Sequence, residues 1–205
     1  MAKIELILGD CLMEMKKIPD KSIDLVLTDP PYGIGQHGGV FRARKGQYKK
    51  VFEKGNWDNK RPDKIYFDEM IRVSKNQIIF GGNYFTDYLP VSRGWIYWGK
   101  KMGGDFSDGE LAWTSYDRVL KEFQFCNKFH GKEHPTQKPI ELIKWCIQQA
   151  DYWDIPQTIL DPFAGSFTTA VACKKLKRNC IAIEVNPKYY EIGKKRVDNT
   201  IEPML

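Results

Sequence analysis

A carboxylate, two prolines and a tyrosine follow one another directly after an apolar stretch of the chain. Residues 23–27 are mostly apolar, and this pattern predicts a short buried strand. Asp29, Pro30, Pro31 and Tyr32 come next. Because proline has no N–H to offer a sheet, the strand must end at Asp29. The carboxyl ends of strands in an open α/β sheet form the edge where ligands bind, so these side chains are expected at such an edge.

This group of side chains suits a reaction at a weakly nucleophilic amino group. The lone pair of an exocyclic amine on a nucleobase is delocalised into the ring, and acceptors placed against its N–H bonds draw electron density back to the nitrogen. Asp29 offers a carboxylate, and Pro30 offers a carbonyl that is held in place because proline fixes φ. The ring of Tyr32 could stack on an extruded base. Taken alone, however, an Asp-Pro-Pro sequence is more often an ordinary turn after a strand.

Two stretches in the second half of the chain favour a catalytic group over an ordinary turn. Residues 134–139 read HPTQKP, and residues 160–166 read LDPFAGS. Together with residues 29–32 they resemble the S-adenosylmethionine-dependent DNA amino-methyltransferases of the N6-adenine/N4-cytosine type, in the motif order of the β class. The resemblance covers nearly the whole chain. It implies an α/β fold, with a single domain over residues 1–205 and a mainly parallel Rossmann-like sheet flanked by helices.

The resemblance also implies which residues hold S-adenosylmethionine. Asp10 would contact the adenine of the cofactor, although it could equally cap the helix that follows it. Thr136 and Lys138 would border the methionine end, although Thr136 could simply begin a helix. The remaining expected contacts come from a turn and from a later strand end: Asp161, Phe163, Ala164, Gly165, Ser166 and Glu184.

The residues of that turn support the same interpretation on physical grounds. A small, glycine-containing turn between a strand and a helix lets the backbone approach a ligand closely. Glu184 follows about twenty residues later at a strand end, where an acid can hydrogen-bond ribose hydroxyls. Phe167 stands where the family commonly has a second glycine. Its side chain therefore either points away from the cofactor or lowers the affinity.

Hydrophobic periodicity predicts the elements that position these residues. The opening β-α-β pattern predicts two parallel strands, so Asp10 and Asp29 should lie at the same sheet edge. In the helix predicted over residues 63–73, Ile65 and three other apolar residues should face inward. Strands are expected at residues 4–8, 23–27, 77–80, 95–98, 111–115, 119–125, 158–160 and 180–183, and helices at 11–18, 63–73, 139–150, 168–177 and after Pro187.

Residues 33–63 show no regular pattern and are strongly basic. Gly33, Gly35 and Gly38 spell G-x-G-x-x-G after a strand, but the polar sequence that follows does not predict the helix that a dinucleotide-binding turn requires. We expect a loop that contacts the phosphates of double-stranded DNA, or alternatively an idle solvated insertion. The basic residues assigned to DNA contact are Arg42, Arg44, Lys45, Lys49 and Lys50.

Composition narrows the class of protein. The chain has 205 residues and a formal net charge of +6, which favours an anionic partner. Its five cysteines show no C-x-x-C spacing, which is typical of a reduced cytoplasmic protein. No apolar stretch is long enough to span a membrane, so no membrane partner is expected. Cys126, His130 and His134 share a four-residue spacing without a fourth ligand nearby, and we therefore expect no metal site.

These observations favour methylation of an exocyclic amine in DNA, with adenine N6 as the preferred target. The alternatives are cytosine N4, a base in RNA, or a protein glutamine, although the tetrapeptide of the RNA and glutamine enzymes typically begins with asparagine. A nicotinamide-dependent oxidoreductase and a non-catalytic DNA-binding module are weaker alternatives. No Pro-Cys pair is present to methylate a ring carbon. We also expect a homodimer, since pairing would double the basic surface offered to a duplex.

Overall fold

An eight-stranded sheet with helices on both faces organises the chain. The computed structural model describes residues 2–35, 39–42, 49–52, 58–100, 107–125, 137–152 and 154–203. The strands of the large sheet are β1 (Ile4–Leu8), β2 (Ile23–Thr28), β5 (Ser74–Phe80), β6 (Trp95–Gly99), β7 (Gly109–Thr114), β8 (Lys121–Gln124), β9 (Thr158–Asp161) and β10 (Asn179–Glu184). A separate antiparallel pair consists of β3 (Gly39–Arg42) and β4 (Lys49–Phe52). The helices are α1 (Cys11–Met15), α2 (Lys64–Val73), α3 (Ile140–Ala150), α4 (Thr168–Leu176) and α5 (Pro187–Asp198).

The strand order in the large sheet is β1-β10-β9-β2-β5-β7-β6-β8. β7 runs antiparallel to both of its neighbours, and the other adjacent pairs are parallel. This confirms the expected α/β fold with a mainly parallel sheet. β1 and β2 run in the same direction as predicted, but β9 and β10 lie between them.

Helices cover both faces of β2, which explains its continuous apolar run. Leu25 and Leu27 pack in the core beneath α3 and α4, whereas Val26 packs with residues of α1 and α2 on the opposite face. All three side chains are fully buried. A strand buried on both faces has no solvent side, so its sequence does not alternate between apolar and polar residues.

The topology creates a crevice between β2 and β9. The chain leaves β2 through α2 and continues into β5 on one side, whereas it leaves β9 through α4 and continues into β10 on the other side. The loops that follow β2 and β9 therefore diverge, and a gap opens at the carboxyl ends of these two neighbouring strands. In α/β sheets this switch point is the usual ligand site.

Some details of the predicted elements were wrong. α1 ends at Met15, and the segment up to Ile18 is a turn. Ile65 in α2 is 48% exposed, whereas Phe67 and Met70 are buried as predicted. Residues 33–63 were expected to lack regular structure, yet they contain the β3–β4 pair, because short strands of basic and apolar residues carry no clear alternation. Within the part of the chain that the structure describes, no helix is both long and apolar enough to cross a membrane.

Candidate active site

A cavity of about 680 Å³ opens at the carboxyl ends of the parallel strands. This volume lies within the range of small-molecule sites, about 300–1,000 Å³. Each of the four strands that surround it contributes an acid at or just beyond its end: Asp10 after β1, Asp29 after β2, Asp161 in β9 and Glu184 in β10. The structure therefore brings together four acids that are far apart in sequence.

Glu184 organises the glycine turn that lines one side of the cavity. Its Oε2 accepts a 2.8 Å hydrogen bond from the N–H of Gly165, and its Oε1 accepts a 2.7 Å bond from the N–H of Asn186. Burial raises the pKa of Glu184 to about 7, although both N–H groups act in the opposite direction. Gly165 has φ +52°, and a Cβ added there would meet no atom within 4 Å. The turn thus presents bare backbone to the cavity.

Asp161 lies at the floor of the same cavity and is 4% exposed. Its Oδ1 accepts hydrogen bonds from Thr28 Oγ1 at 2.7 Å and from the N–H of Phe163 at 3.2 Å. Burial raises its pKa to about 6, against the effect of hydrogen bonds from Thr169 and Thr28. Ala164, next in the turn, is held by a 3.0 Å bond from its N–H to the carbonyl of Ile183. Six residues expected to hold the cofactor, here called the cradle, therefore lie around one cavity: Asp161, Phe163, Ala164, Gly165, Ser166 and Glu184.

Phe167 takes the first of its two alternatives, with its side chain away from the cavity. The ring is fully buried and meets Tyr190 edge-on at 5.5 Å between centroids. Gly193 of α5 leaves room for it, since a Cβ there would come within 2.5 Å of the ring. The backbone of Phe167 nevertheless adopts φ 58°, a left-handed conformation that normally favours glycine. The turn thus keeps its shape without a second glycine.

Asp10 fulfils the capping alternative and also lines the cavity. Its Oδ1 accepts hydrogen bonds from the N–H groups of Leu12 at 2.8 Å and Met13 at 3.3 Å. Ser166, also in the cradle, receives a 2.8 Å bond at its Oγ from Nη1 of Arg196 in α5. These contacts hold the side chains of Asp10 and Ser166 in place at the cavity.

Both carboxylate oxygens of Asp29 accept hydrogen bonds. The hydroxyl of Tyr32 donates to Oδ1 at 2.5 Å, and the ammonium of Lys138 donates to Oδ2 at 2.5 Å. The ring of Tyr32 stacks on Tyr84, with 4.8 Å between centroids and 14° between planes. A Cβ at Gly81 would lie 2.1 Å from the Tyr32 ring, so glycine is required there. Asp29 and Tyr32 therefore form one rigid unit.

The two prolines between them differ in position. Pro30 is buried, and Pro31 is half-buried and lines the cavity together with Asp29. The four expected catalytic residues thus lie at the cavity or directly against it.

Lys138, which was expected to border the methionine end of the cofactor, is flanked by two carboxylates. It lines the cavity, and its ammonium lies 2.5 Å from Asp29 and 2.9 Å from Oε2 of Glu110. Lys100 forms a further ion pair with the other oxygen of Glu110. Burial alone would lower the pKa of Lys138, but the two carboxylates raise it above its usual value.

Glu110 was missed by the sequence reasoning. It lies in β7 among largely apolar residues. Its partners are Lys100, which directly follows β6, and Lys138, which lies just before α3. Burial alone would raise its pKa, but Lys138 and Lys100 hold it at about 2. An acid inside an otherwise apolar strand was the available signal, and its partner could not be read from the sequence.

Several predicted residues lie outside the described part of the chain. These include Thr136, Arg44 and Lys45, and also Cys126, His130 and His134 of the rejected metal cluster. The backbone of Arg42, Lys49 and Lys50 is described, and Arg42 pairs with Lys49 across the β3–β4 ladder. Among the described residues, no group of three or more His, Cys, Asp or Glu side chains could hold a metal ion.

The first two glycines of the motif at residues 33–38 are held by one residue of the following loop. The N–H groups of Gly33 and Gly35 bond to the side chain and the carbonyl of Asp58, at 2.8 and 3.0 Å. The next described element is the strand β3, whereas a dinucleotide-binding turn opens a helix.

Comparison with known proteins gives consistent matches. A family model described as DNA methylase matches residues 97–195. The Type II methyltransferase M.HpaI of Haemophilus parainfluenzae is 27% identical, over 95% of this chain and 74% of that protein. The DNA adenine methyltransferase YhdJ of Escherichia coli (strain K12) is 28% identical, over 93% of this chain and 81% of that protein. The crystal structure of the M1.HpyAVI–SAM complex shares the fold, with a TM-score of 0.59 and 21% identity over 95% of this chain and 99% of that chain.

The family match and the curated relatives agree with the motifs gathered at the cavity. Over nearly its whole length, the chain is therefore similar to the S-adenosylmethionine-dependent DNA amino-methyltransferases.

Proposed function

We propose that this protein transfers a methyl group from S-adenosylmethionine to the exocyclic amine of a base in double-stranded DNA, with adenine N6 as the preferred target. The observation that carries the proposal is the shared cavity. Asp29, which directly follows β2, and the glycine turn after β9 open into the same space at the switch point of the sheet. A target amine and a methyl donor could therefore meet there.

The cavity has the chemistry needed for the cofactor. Gly165 leaves backbone exposed, and the buried carboxylates of Asp161 and Glu184 retain lone pairs beyond the bonds they already accept. The residues proposed to hold the cofactor are Asp10, Thr136, Asp161, Phe163, Ala164, Gly165, Ser166 and Glu184. When bound, S-adenosylmethionine supplies a methyl group on a positively charged sulfur.

Asp29 and Pro30 would act on the amine and not on the cofactor. The Asp29 carboxylate and the Pro30 carbonyl would accept the two N–H bonds of the target amine and direct its lone pair toward the methyl group. Transfer in a single in-line displacement requires positioning and electrostatics and no covalent enzyme intermediate. The Tyr32 ring would stack on the extruded base.

The choice of adenine is supported by one relative, YhdJ, whose name specifies adenine. Cytosine N4 is the alternative within the same family, since it presents the same kind of amine. We propose that DNA is held by the basic side chains between Phe41 and Arg61, namely Arg42, Arg44, Lys45, Lys49 and Lys50, and that two copies of the chain bind a duplex together.

One experiment tests the proposal. The protein is incubated with methyl-labelled S-adenosylmethionine and duplex DNA of mixed sequence, and the labelled nucleoside is identified after digestion. We expect N6-methyladenine. Label in N4-methylcytosine would establish the cytosine alternative, and label transferred to RNA or to a protein glutamine but not to DNA would contradict the proposal. Tight NADH binding without S-adenosylmethionine binding would establish an oxidoreductase.

A further inference from the structure

A chain of alternating charges begins at the cavity and extends away from it. It runs from Asp29 through Lys138 and Glu110 to Lys100, with two carboxylates and two ammonium groups in alternation. Lys138 is 7% exposed, whereas the Asp29, Glu110 and Lys100 side chains are 19–22% exposed. The formal charges of the four groups cancel, so these four side chains can remain partly buried without a net charge.

Lys138 joins the two carboxylates of this group. Its ammonium donates a hydrogen bond to Oδ2 of Asp29 and forms an ion pair with Glu110, 2.9 Å from Oε2. It also lies 3.5 Å from the hydroxyl oxygen of Tyr32, the residue that binds the other oxygen of Asp29. Glu110 therefore contacts the cation that holds Asp29.

This geometry is informative because Asp29 has little freedom. Tyr32 binds Oδ1 and Lys138 binds Oδ2, so the plane of the carboxylate is fixed before any base arrives. Resting on the proposed function, we infer that Lys138 and Glu110 are positioning residues, which hold Asp29 as an oriented carboxylate ready to accept an N–H of the target amine. Lys138 is thereby assigned to the target-amine side of the cavity instead of the methionine end of the cofactor.

The charges around Asp29 predict opposite effects for the two positioning residues. Burial raises the pKa of Asp29; Lys138 lowers it, Glu110 raises it again, and the Tyr32 hydroxyl lowers it. Asp161 faces Asp29 from β9, Tyr84 faces it through Tyr32, and Lys100 acts through Glu110. Removing the cation of Lys138 should therefore favour protonated Asp29, whereas removing the anion of Glu110 should favour the carboxylate.

The test compares Lys138→Met, Lys138→Arg and Glu110→Gln with the unaltered protein, using the maximal methylation rate as a function of pH. An opposite charge at this distance shifts a carboxyl pKa by about 1–3 units. The acidic limb, that is, the pH on the acidic side at which the rate is half of its maximum, should therefore rise by about that amount in Lys138→Met. It should fall in Glu110→Gln and stay close to the parent in Lys138→Arg. Affinity for S-adenosylhomocysteine, measured by calorimetry, should remain within a few-fold in all three variants.

Lys75→Met is the matched control, because Lys75 forms a 2.7 Å ion pair with Asp24, in the same strand that leads to Asp29. It should leave the acidic limb unchanged. If Lys138→Met loses cofactor affinity while its acidic limb stays in place, Lys138 serves the cofactor and the inference is wrong. Equal limbs in the parent and in both charge-removing variants would show that the chain of charges is structural.

A second measurement does not depend on methylation. The carboxyl carbon of Asp29, labelled with ¹³C and assigned by its loss in Asp29→Asn, is titrated by NMR in the parent, Lys138→Met and Glu110→Gln. Its midpoint should move up in the first variant and down in the second. A parent protein that methylates no DNA but shows these two shifts would contradict the proposed function and leave the positioning roles standing; unmoved midpoints would overturn the positioning roles themselves.

Discussion

The hydroxyl of Thr28 donates a 2.7 Å hydrogen bond to Oδ1 of Asp161, across the switch point of the sheet. Thr28 is the last residue of β2 and Asp161 the last residue of β9, and the two are 133 positions apart in sequence. Asp29 follows Thr28 directly, and the glycine turn follows Asp161. The bond therefore ties the target-amine side of the cavity to the cofactor side.

Removing this hydroxyl should loosen the cavity floor. We expect Thr28→Val to lower the free energy of unfolding by about 1–3 kcal/mol, because the buried Asp161 loses one of its donors. Equilibrium denaturation in urea measures the change. Thr28→Ser keeps the hydroxyl, loses only the methyl group, and should lose clearly less stability. A Thr28→Val variant as stable as the parent would mean that the hydrogen bond does not stabilise the fold.

Asp29→Ala should abolish methyl transfer while leaving the affinity for S-adenosylhomocysteine within a few-fold. The reason is that Asp29 is expected to act on the target amine, whereas the cofactor contacts come from the glycine turn and Glu184. Calorimetry and a methylation assay on the same preparation provide both values. Loss of cofactor binding together with activity would show that the role assigned to Asp29 is wrong.

Gly165→Val should weaken S-adenosylhomocysteine binding, because its Cβ would project into space that the ligand needs. The left-handed backbone adds about 1–2 kcal/mol of strain, so the free energy of unfolding must be measured in the same samples. Glu184→Ala should weaken binding as well, since removing a charged acceptor is typically worth about 1.5–3 kcal/mol. Unchanged affinity in both variants would remove this turn from the cofactor site.

Glu184 should make the stability of the ligand-free protein depend on pH in the direction opposite to an ordinary surface acid. Its pKa rises from 4.5 to about 7 on folding, because the side chain is buried. Between these values the folded state binds more protons than the unfolded state, so the free energy of unfolding should fall as pH rises from about 4.5 to 7. Urea denaturation at pH 5 and pH 7.5 should show a smaller fall in Glu184→Gln than in the parent, with the exposed Glu5→Gln as the control.

The local pattern of the sequence predicted the strands and helices around the cavity well. The apolar run before Asp29 and the Asn186-Pro187 start of α5 are local signals, and both gave the element observed. Strand order is different in nature, because nothing near β1 or β2 reports that β9 and β10 lie between them. The β3–β4 pair was missed for a related reason, since it packs in a separate two-stranded sheet and lacks the alternation of a half-buried strand.

The site could be predicted where one motif supplies its own geometry and not where charges from distant elements meet. Asp161, Gly165 and Glu184 belong to a strand-turn-helix-strand unit, so their convergence follows from short connections. The pairing of Lys138 with Glu110 depends on the placement of the antiparallel strand β7, which the sequence does not encode locally. The direction of the Phe167 side chain likewise depends on a distant residue. Gly193 has no side chain and therefore leaves room for the ring.

The basic segment between Phe41 and Arg61 should form ion pairs with the phosphates of the DNA backbone. Replacing Arg42, Arg44, Lys45, Lys49 and Lys50 with alanine should weaken duplex binding to all DNA sequences and flatten its salt dependence. For every phosphate that is no longer neutralised, the slope of log affinity against log salt should decrease by roughly 0.9, because fewer counterions are released on binding. Fluorescence anisotropy with duplexes at several salt concentrations measures the slope, and cofactor affinity should not move.

A control of equal charge separates local contacts from the loss of net charge. Lys3, Lys16, Lys17, Lys194 and Lys195 are exposed and lie on or next to β1, α1 and α5. Replacing these five lysines removes the same number of positive charges, so a general electrostatic effect would flatten the salt slope equally in both variants. We expect the control to keep most of the parent slope. If the variant in the basic segment keeps the parent slope instead, that segment does not contact the phosphates and the DNA surface lies elsewhere, with Lys100 and the residues around β8 as the next candidates.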